Sequence, residues 1–125
     1  MEEQKRSCEL EKMGCGGCSM LSLSYEKQLK KKQKRLEKLL GKFGKVQPVI
    51  GMENPWHYRN KVISTFTRGE GKRLQSGIYA QGTHRVIPVE RCFLHQPALD
   101  KAVEAVRKAA ADCKYQPYDE DRRTG

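Results

Sequence analysis

Apolar residues recur along this chain with two different periods, and the change of period divides it. Tyr25, Leu29, Leu36, Leu40 and Phe43 fall at helical spacing and form one stripe, which predicts a helix running to about Phe43. Ser24 stands where an N-cap belongs, and Gly41 and Gly44 supply the exit. A second stripe of Leu99, Val103, Val106 and Ala110 predicts another helix, with Pro97 as its first residue and its end near Cys113. Between them the pattern is that of strands. Val46 to Ile50 is β-prone but interrupted by Pro48, which predicts an edge or irregular strand. Tyr58 to Arg68 is rich in β-branched and aromatic residues, Gly69-Glu70-Gly71-Lys72 has turn chemistry, and Gln75 to Ala80 resumes as a strand, so a hairpin is expected. Val86 to Val89 predicts a further strand leading into Cys92. Residues 1–23 have little apolar periodicity and much cysteine, glycine and serine, and the tail from Tyr118 has no core of its own. The expected fold is α+β: a metal-ordered N-terminal segment, a basic helix, a small antiparallel sheet and a second helix.

Size and charge narrow the function. A chain of 125 residues supports one modest domain, and 37% hydrophobic with 7% aromatic residues make its core thin. Its net charge of +10, from 25 Lys and Arg against 15 Asp and Glu, is self-repelling unless a polyanion or anionic cofactor offsets it. RNA is the first candidate partner and an anionic membrane surface the competing one. No apolar run approaches the length of a spanning helix, and Met1 to Arg6 lacks the apolar core of a signal peptide, so the expected location is cytoplasmic. Reducing conditions there, and an odd count of five cysteines, turn the thiols from disulfides to metal chemistry.

The cysteines carry the strongest signal. Cys15-Gly16-Gly17-Cys18 sets two thiolates around a glycine pair that can bend about one centre; Cys8 adds a third and Cys92 a distant fourth. Four sulfur ligands suit a structural zinc or an iron–sulfur cluster. The plainer reading makes Cys92 a small buried hydrophobe and leaves the first three to bind metal alone. Cys113 extends the second apolar stripe and reads as core.

Cations gather in two places. Lys27, Lys30, Lys31, Lys32, Lys34, Arg35 and Lys38 surround the first stripe; Arg59, Lys61, Arg68, Lys72, Arg73 and Arg85 lie on the expected sheet. Strand alternation puts Arg59 and Lys61 on one face, next to Trp56 and Tyr58, and cations beside flat rings suit unpaired RNA. The competing readings are a solvated cationic surface and, for Trp56, a seal at the core edge. His57, His84 and His95 are scattered singly; His95 is close enough to Cys92 to be a substitute ligand. Asp119-Glu120-Asp121 offers at best a weak divalent-ion site, and more plainly a solvated tail. No nucleotide-binding glycine loop and no catalytic constellation is legible.

Cys15-Gly16-Gly17-Cys18 followed by Leu23 to Lys30 resembles the iron–sulfur segment of bacterial RNA uracil-5-methyltransferases. So do Pro55-Trp56-His57-Tyr58-Arg59-Asn60-Lys61 and the stretch from Gly77-Ile78-Tyr79 through His84-Arg85-Val86-Ile87-Pro88-Val89 to Cys92. The resemblance covers nearly the whole chain. It implies that Cys8, Cys15, Cys18 and Cys92 ligate a [4Fe-4S] cluster rather than zinc, although Cys8 stands one residue further from Cys15 than is common in the family and is followed by Glu9 in place of a proline. It implies an RNA-facing surface with Arg59, Lys61, Trp56, Tyr58, Lys31 and Lys34, a monomer, and 23S ribosomal RNA as the partner, with transfer RNA the other option. Residues 1–23 would be the cluster segment and 24–125 a central RNA-binding domain. The family's methyltransferase domain would follow Gly125, and the small β-barrel of many members would precede Met1. S-adenosylmethionine and the cysteine that attacks uracil C6 would belong to that further domain, leaving no catalytic residue here and this stretch alone inactive. The rival functions are a stand-alone zinc-binding RNA or ribosome-associated module and an iron–sulfur electron carrier, the latter poorly served by so basic a surface.

Overall fold

A computed structural model describes residues 8–125. Its elements are a one-turn helix α1 (Glu9–Lys12), α2 (Tyr25–Leu40), β1 (Thr65–Arg68), a single 3-10 turn (Glu70–Lys72), β2 (Leu74–Tyr79), β3 (Val86–Pro88) and α3 (Pro97–Asp112). The three strands form one antiparallel sheet in the order β1-β2-β3, and the arrangement is α+β.

The hairpin forms where the turn residues place it. Thr65 pairs with Gly77 and Arg68 with Leu74, and Gly71 and Lys72 both take left-handed backbone to close the loop. Gly77 also faces Pro88 across the β2–β3 pairing. A Cβ at Gly77 would lie 1.8 Å from the Ile87 carbonyl oxygen, so β3 can approach this closely only against glycine. Proline is tolerated at Pro88 because β3 is an edge strand. Ile87 is fully buried, and Ala80, Val89 and Leu94 complete a small core under the sheet. α3 packs across β2, where Arg107 donates to the hydroxyl of the fully buried Ser76 at 3.1 Å.

α2 begins as expected: the Ser24 hydroxyl accepts from the Lys27 amide at 3.4 Å. It stops at Leu40, short of Phe43, because Gly41 ends the regular hydrogen bonding, and Phe43 is left 78% exposed. The expected strand at Val46 to Ile50 does not form. Pro48 removes a donor, and the Gln33 side chain takes the next one, its Oε1 accepting from the Val49 amide at 2.7 Å. The segment is thereby laced along α2 together with Met52, whose amide donates to the Tyr25 hydroxyl. The expected strand from Tyr58 is regular only over Thr65–Arg68; Ile63 is 79% exposed, and the residues before it follow a different partner, described below. α3 matches its stripe at Leu99, Val103 and Ala110, all half-buried, but Val106 faces solvent. Cys113, expected in the core, is exposed: it is the residue after the helix, where the chain turns away through the left-handed Lys114. The short helix α1 has no counterpart in the apolar pattern, since a single turn is too brief to show a period.

Candidate metal centre and nucleic-acid interface

Three separate stretches of chain meet at Cys18. Burial pushes its thiol above the ordinary range; the Arg59 guanidinium pulls it back, and the thiols of Cys92, Cys15 and Cys8 each push it further up. The other three cysteines named by the sequence pattern are therefore within electrostatic reach of Cys18, and all four are half-buried. Protein hydrogen bonds tie the described part of the N-terminal segment to the sheet. The Cys15 amide donates to Leu10, the Gly16 amide to Tyr79 at 3.1 Å, the Gln81 amide to Gly14 at 3.0 Å, and the Arg85 guanidinium to Met13. The cysteine loop is thus an extra rung at the end of β2, bridged at Cys15 and Ala80. Gly16 is required there, because a Cβ would stand 2.7 Å from the Tyr79 oxygen. Within the loop, the Gly17 amide donates to the Cys15 sulfur at 3.5 Å.

Cys92 arrives from the turn between β3 and α3, and that turn is fixed from two sides. Asp100, in the first turn of α3, accepts from the Cys92 amide through Oδ2 at 3.0 Å and from His95 Nδ1 through Oδ1 at 2.8 Å. His95 is buried, and its Nδ1 is occupied by this pairing. The other side is a short parallel pairing with the 57–59 stretch: the His57 and Arg59 amides donate to Phe93 and Leu94, and the Gln96 amide donates to Arg59. His57 Nδ1 also donates to the His95 carbonyl at 2.6 Å. This pairing draws the chain before β1 away from the sheet. Arg59 then completes the bridge, its Nη2 donating to the Gly17 carbonyl at 2.8 Å. One residue thus ties the Cys92 turn, by its backbone, to the Cys15–Cys18 loop, by its side chain.

The residues expected to face RNA separate accordingly. Arg59 is half-buried and turned to the cysteine loop, whereas Lys61 is exposed. Lys31 and Lys34 are exposed on α2. Tyr58 is exposed and lines a cleft of about 340 Å³ with Tyr25, Lys32, Met52 and Cys18. Trp56 is half-buried, edge-on to Phe93 at 5.7 Å. Asp119 caps its own turn, accepting from the Asp121 and Arg122 amides.

Asp100 was not legible as a site residue, because an acidic residue in a first helical turn ordinarily answers the helix dipole. Its charge can be tested apart from its shape. Asp100→Asn keeps one acceptor but turns both charge-assisted bonds into neutral ones, so unfolding should become easier by about 1 kcal/mol in urea titrations. An unchanged midpoint would show that the carboxylate does not fix the turn.

Four thiols are a donor set that a four-iron cluster or a tetrahedral metal ion would take. Among the described residues, no group of three or more His, Cys, Asp or Glu side chains is drawn together closely enough to hold one metal ion. In a cubane cluster each iron would take a single thiolate, and the cation and amide donors around Cys15 and Cys18 would oppose its negative charge. Among the described residues, no helix is long and apolar enough to cross a membrane.

No protein-family model matches the chain. It is similar to a protein of Halalkalibacterium halodurans named as an uncharacterized RNA methyltransferase, 36% identical over 116 residues, or 89% of this chain and 25% of that protein. A Listeria monocytogenes protein named in the same way is 38% identical over 117 residues, again 89% of this chain and 25% of the relative. A Bacillus cereus relative with that name is 36% identical over 116 residues with the same coverage. The chain therefore spans about one quarter of the length of the curated relatives it matches. Over that quarter it matches bacterial proteins named as RNA methyltransferases, as a fragment of such a protein would.

Proposed function

We propose that this chain is the iron–sulfur and RNA-binding portion of an S-adenosylmethionine-dependent 23S rRNA uracil-5-methyltransferase. The observation that carries the reading is the convergence of Cys8, Cys15, Cys18 and Cys92 through two separately braced loops. In it the four thiolates hold a [4Fe-4S] cluster, whose chemistry here is structural: it pins the N-terminal segment to the sheet. The methyl transfer and its S-adenosylmethionine belong to the three quarters of the relatives' length that this chain does not match. The contribution of this portion is to grip RNA. Lys31 and Lys34 on α2, with Lys61 and Tyr58, supply exposed cations and a ring. Among the described residues none of these lysines is in a salt bridge, so their charge is free for phosphate.

Protein purified without oxygen should be brown, absorb broadly at roughly 400 nm and carry iron in excess of zinc. Colourless protein holding one tight zinc would replace this reading with a zinc-dependent RNA-binding module.

A further inference from the structure

At the Leu74 end of β2, the opposite end from the Cys15–Ala80 bridge, the hairpin loop and the second half of α3 enclose a groove of about 900 Å³. Arg68, Lys72, Arg73, Arg107, Lys108 and Lys114 line it, against the single carboxylate of Glu90. Of these cations only Lys108 is in a salt bridge among the described residues, with Glu104 at 2.7 Å. Arg68 is held by neutral partners, the Gln116 side chain and the Lys72 carbonyl. Arg107 is braced by buried Ser76. Both arginines are therefore fixed in place without being neutralised. Tyr115, 69% exposed, lines the same groove and offers a flat ring beside the charge.

We infer that this groove is a second contact for the RNA sugar–phosphate backbone, distinct from the α2 surface. The inference rests on the RNA-binding reading above and extends it. Positioned, unneutralised arginines suit phosphate oxygens, and an exposed tyrosine among them suits an unstacked base. The single strand β2 joins this groove to the cysteine loop: Leu74 lines the groove and Ala80 bridges Cys15. Six residues of extended chain separate the two by about 20 Å. A strand of RNA held at both places would be gripped across the whole sheet.

The test uses the full, cluster-loaded chain and a single-stranded oligouridylate. Three variants are compared with wild type: Lys72→Gln/Arg73→Gln/Lys114→Gln in the groove, Lys31→Gln/Lys34→Gln on α2, and Lys101→Gln/Arg122→Gln/Arg123→Gln as a charge-matched control away from both. Arg107 is left intact because of its buried partner, and circular dichroism melts check that each variant folds. The groove variant should flatten the plot of log affinity against log salt by about two units, as three lost phosphate contacts require, and the control should not. If the α2 variant flattens the plot while the groove variant leaves it unchanged, the groove inference is overturned and the RNA-binding reading stands. An equal effect of the control would reduce the groove to net charge and overturn it as well. No salt-dependent binding by wild type would overturn both.

Discussion

Cys18→Ser and Cys92→Ser are each expected to lose iron and to free the cysteine loop from the end of β2. Apart from the Arg59 bridge, the two residues come from separately braced stretches: the N-terminal loop is held by backbone bonds to Tyr79 and Gln81, the late turn by Asp100. A cluster ligated by both couples them, so losing either thiolate uncouples both. Apparent metal-binding energies at small thiolate sites reach about 10 kcal/mol, against roughly 1 kcal/mol for an average substitution. The effect should dominate any other single change in the chain. Iron content, absorbance and anaerobic thermal unfolding measure it, with Cys113→Ser as the comparison, because that thiol is exposed past the end of α3. Full iron and an unshifted melt in both ligand variants would remove the shared cluster from the proposal.

How much of this was legible in the sequence depends on whether the signal is local. Ser24, Pro97 and the glycines of the hairpin act within a few residues, and each element they delimit formed at that place. Where a distant partner decides, local pattern failed. Tyr58 to Ser64 has strand composition, yet its first residues pair in parallel with the stretch after Cys92 and never join the sheet. Val46 to Ile50 is β-prone, yet a glutamine reaching out from α2 claims its backbone. Cys113 falls in phase with an apolar stripe, but the helix ends one residue earlier.

The site divides along the same line. The four cysteines could be named because spacing and residue type alone mark them. Their braces could not. Asp100 and Arg59 look, in sequence, like a helix-dipole residue and one more cation in a basic strand, and only the fold shows what each holds. The groove cations were all visible as basic residues, but their grouping depends on the hairpin loop and the far half of α3 coming together.

Arg59→Ala, in consequence, is expected to behave as a cluster variant and Lys61→Ala as an RNA variant, although a single residue separates them. Removing the Arg59 guanidinium strips the Gly17 carbonyl of its donor and Cys18 of the cation beside it. A hydrogen bond from a charged group contributes about 1.5–3 kcal/mol, and its loss falls on the loop that carries two thiolates. Iron should be released faster under chelator challenge, and hydrogen exchange should rise at Gly17 and Cys18. Arg59→Lys should recover little, since an ammonium cannot reproduce the planar fork. Neither Arg59 variant, while still loaded, should change the salt dependence of RNA binding, whereas Lys61→Ala should lower its slope by just under one unit and keep its iron. If Arg59→Ala instead keeps iron and flattens the salt plot as Lys61→Ala does, the guanidinium serves phosphate, and the brace between the two cysteine-bearing loops lies elsewhere.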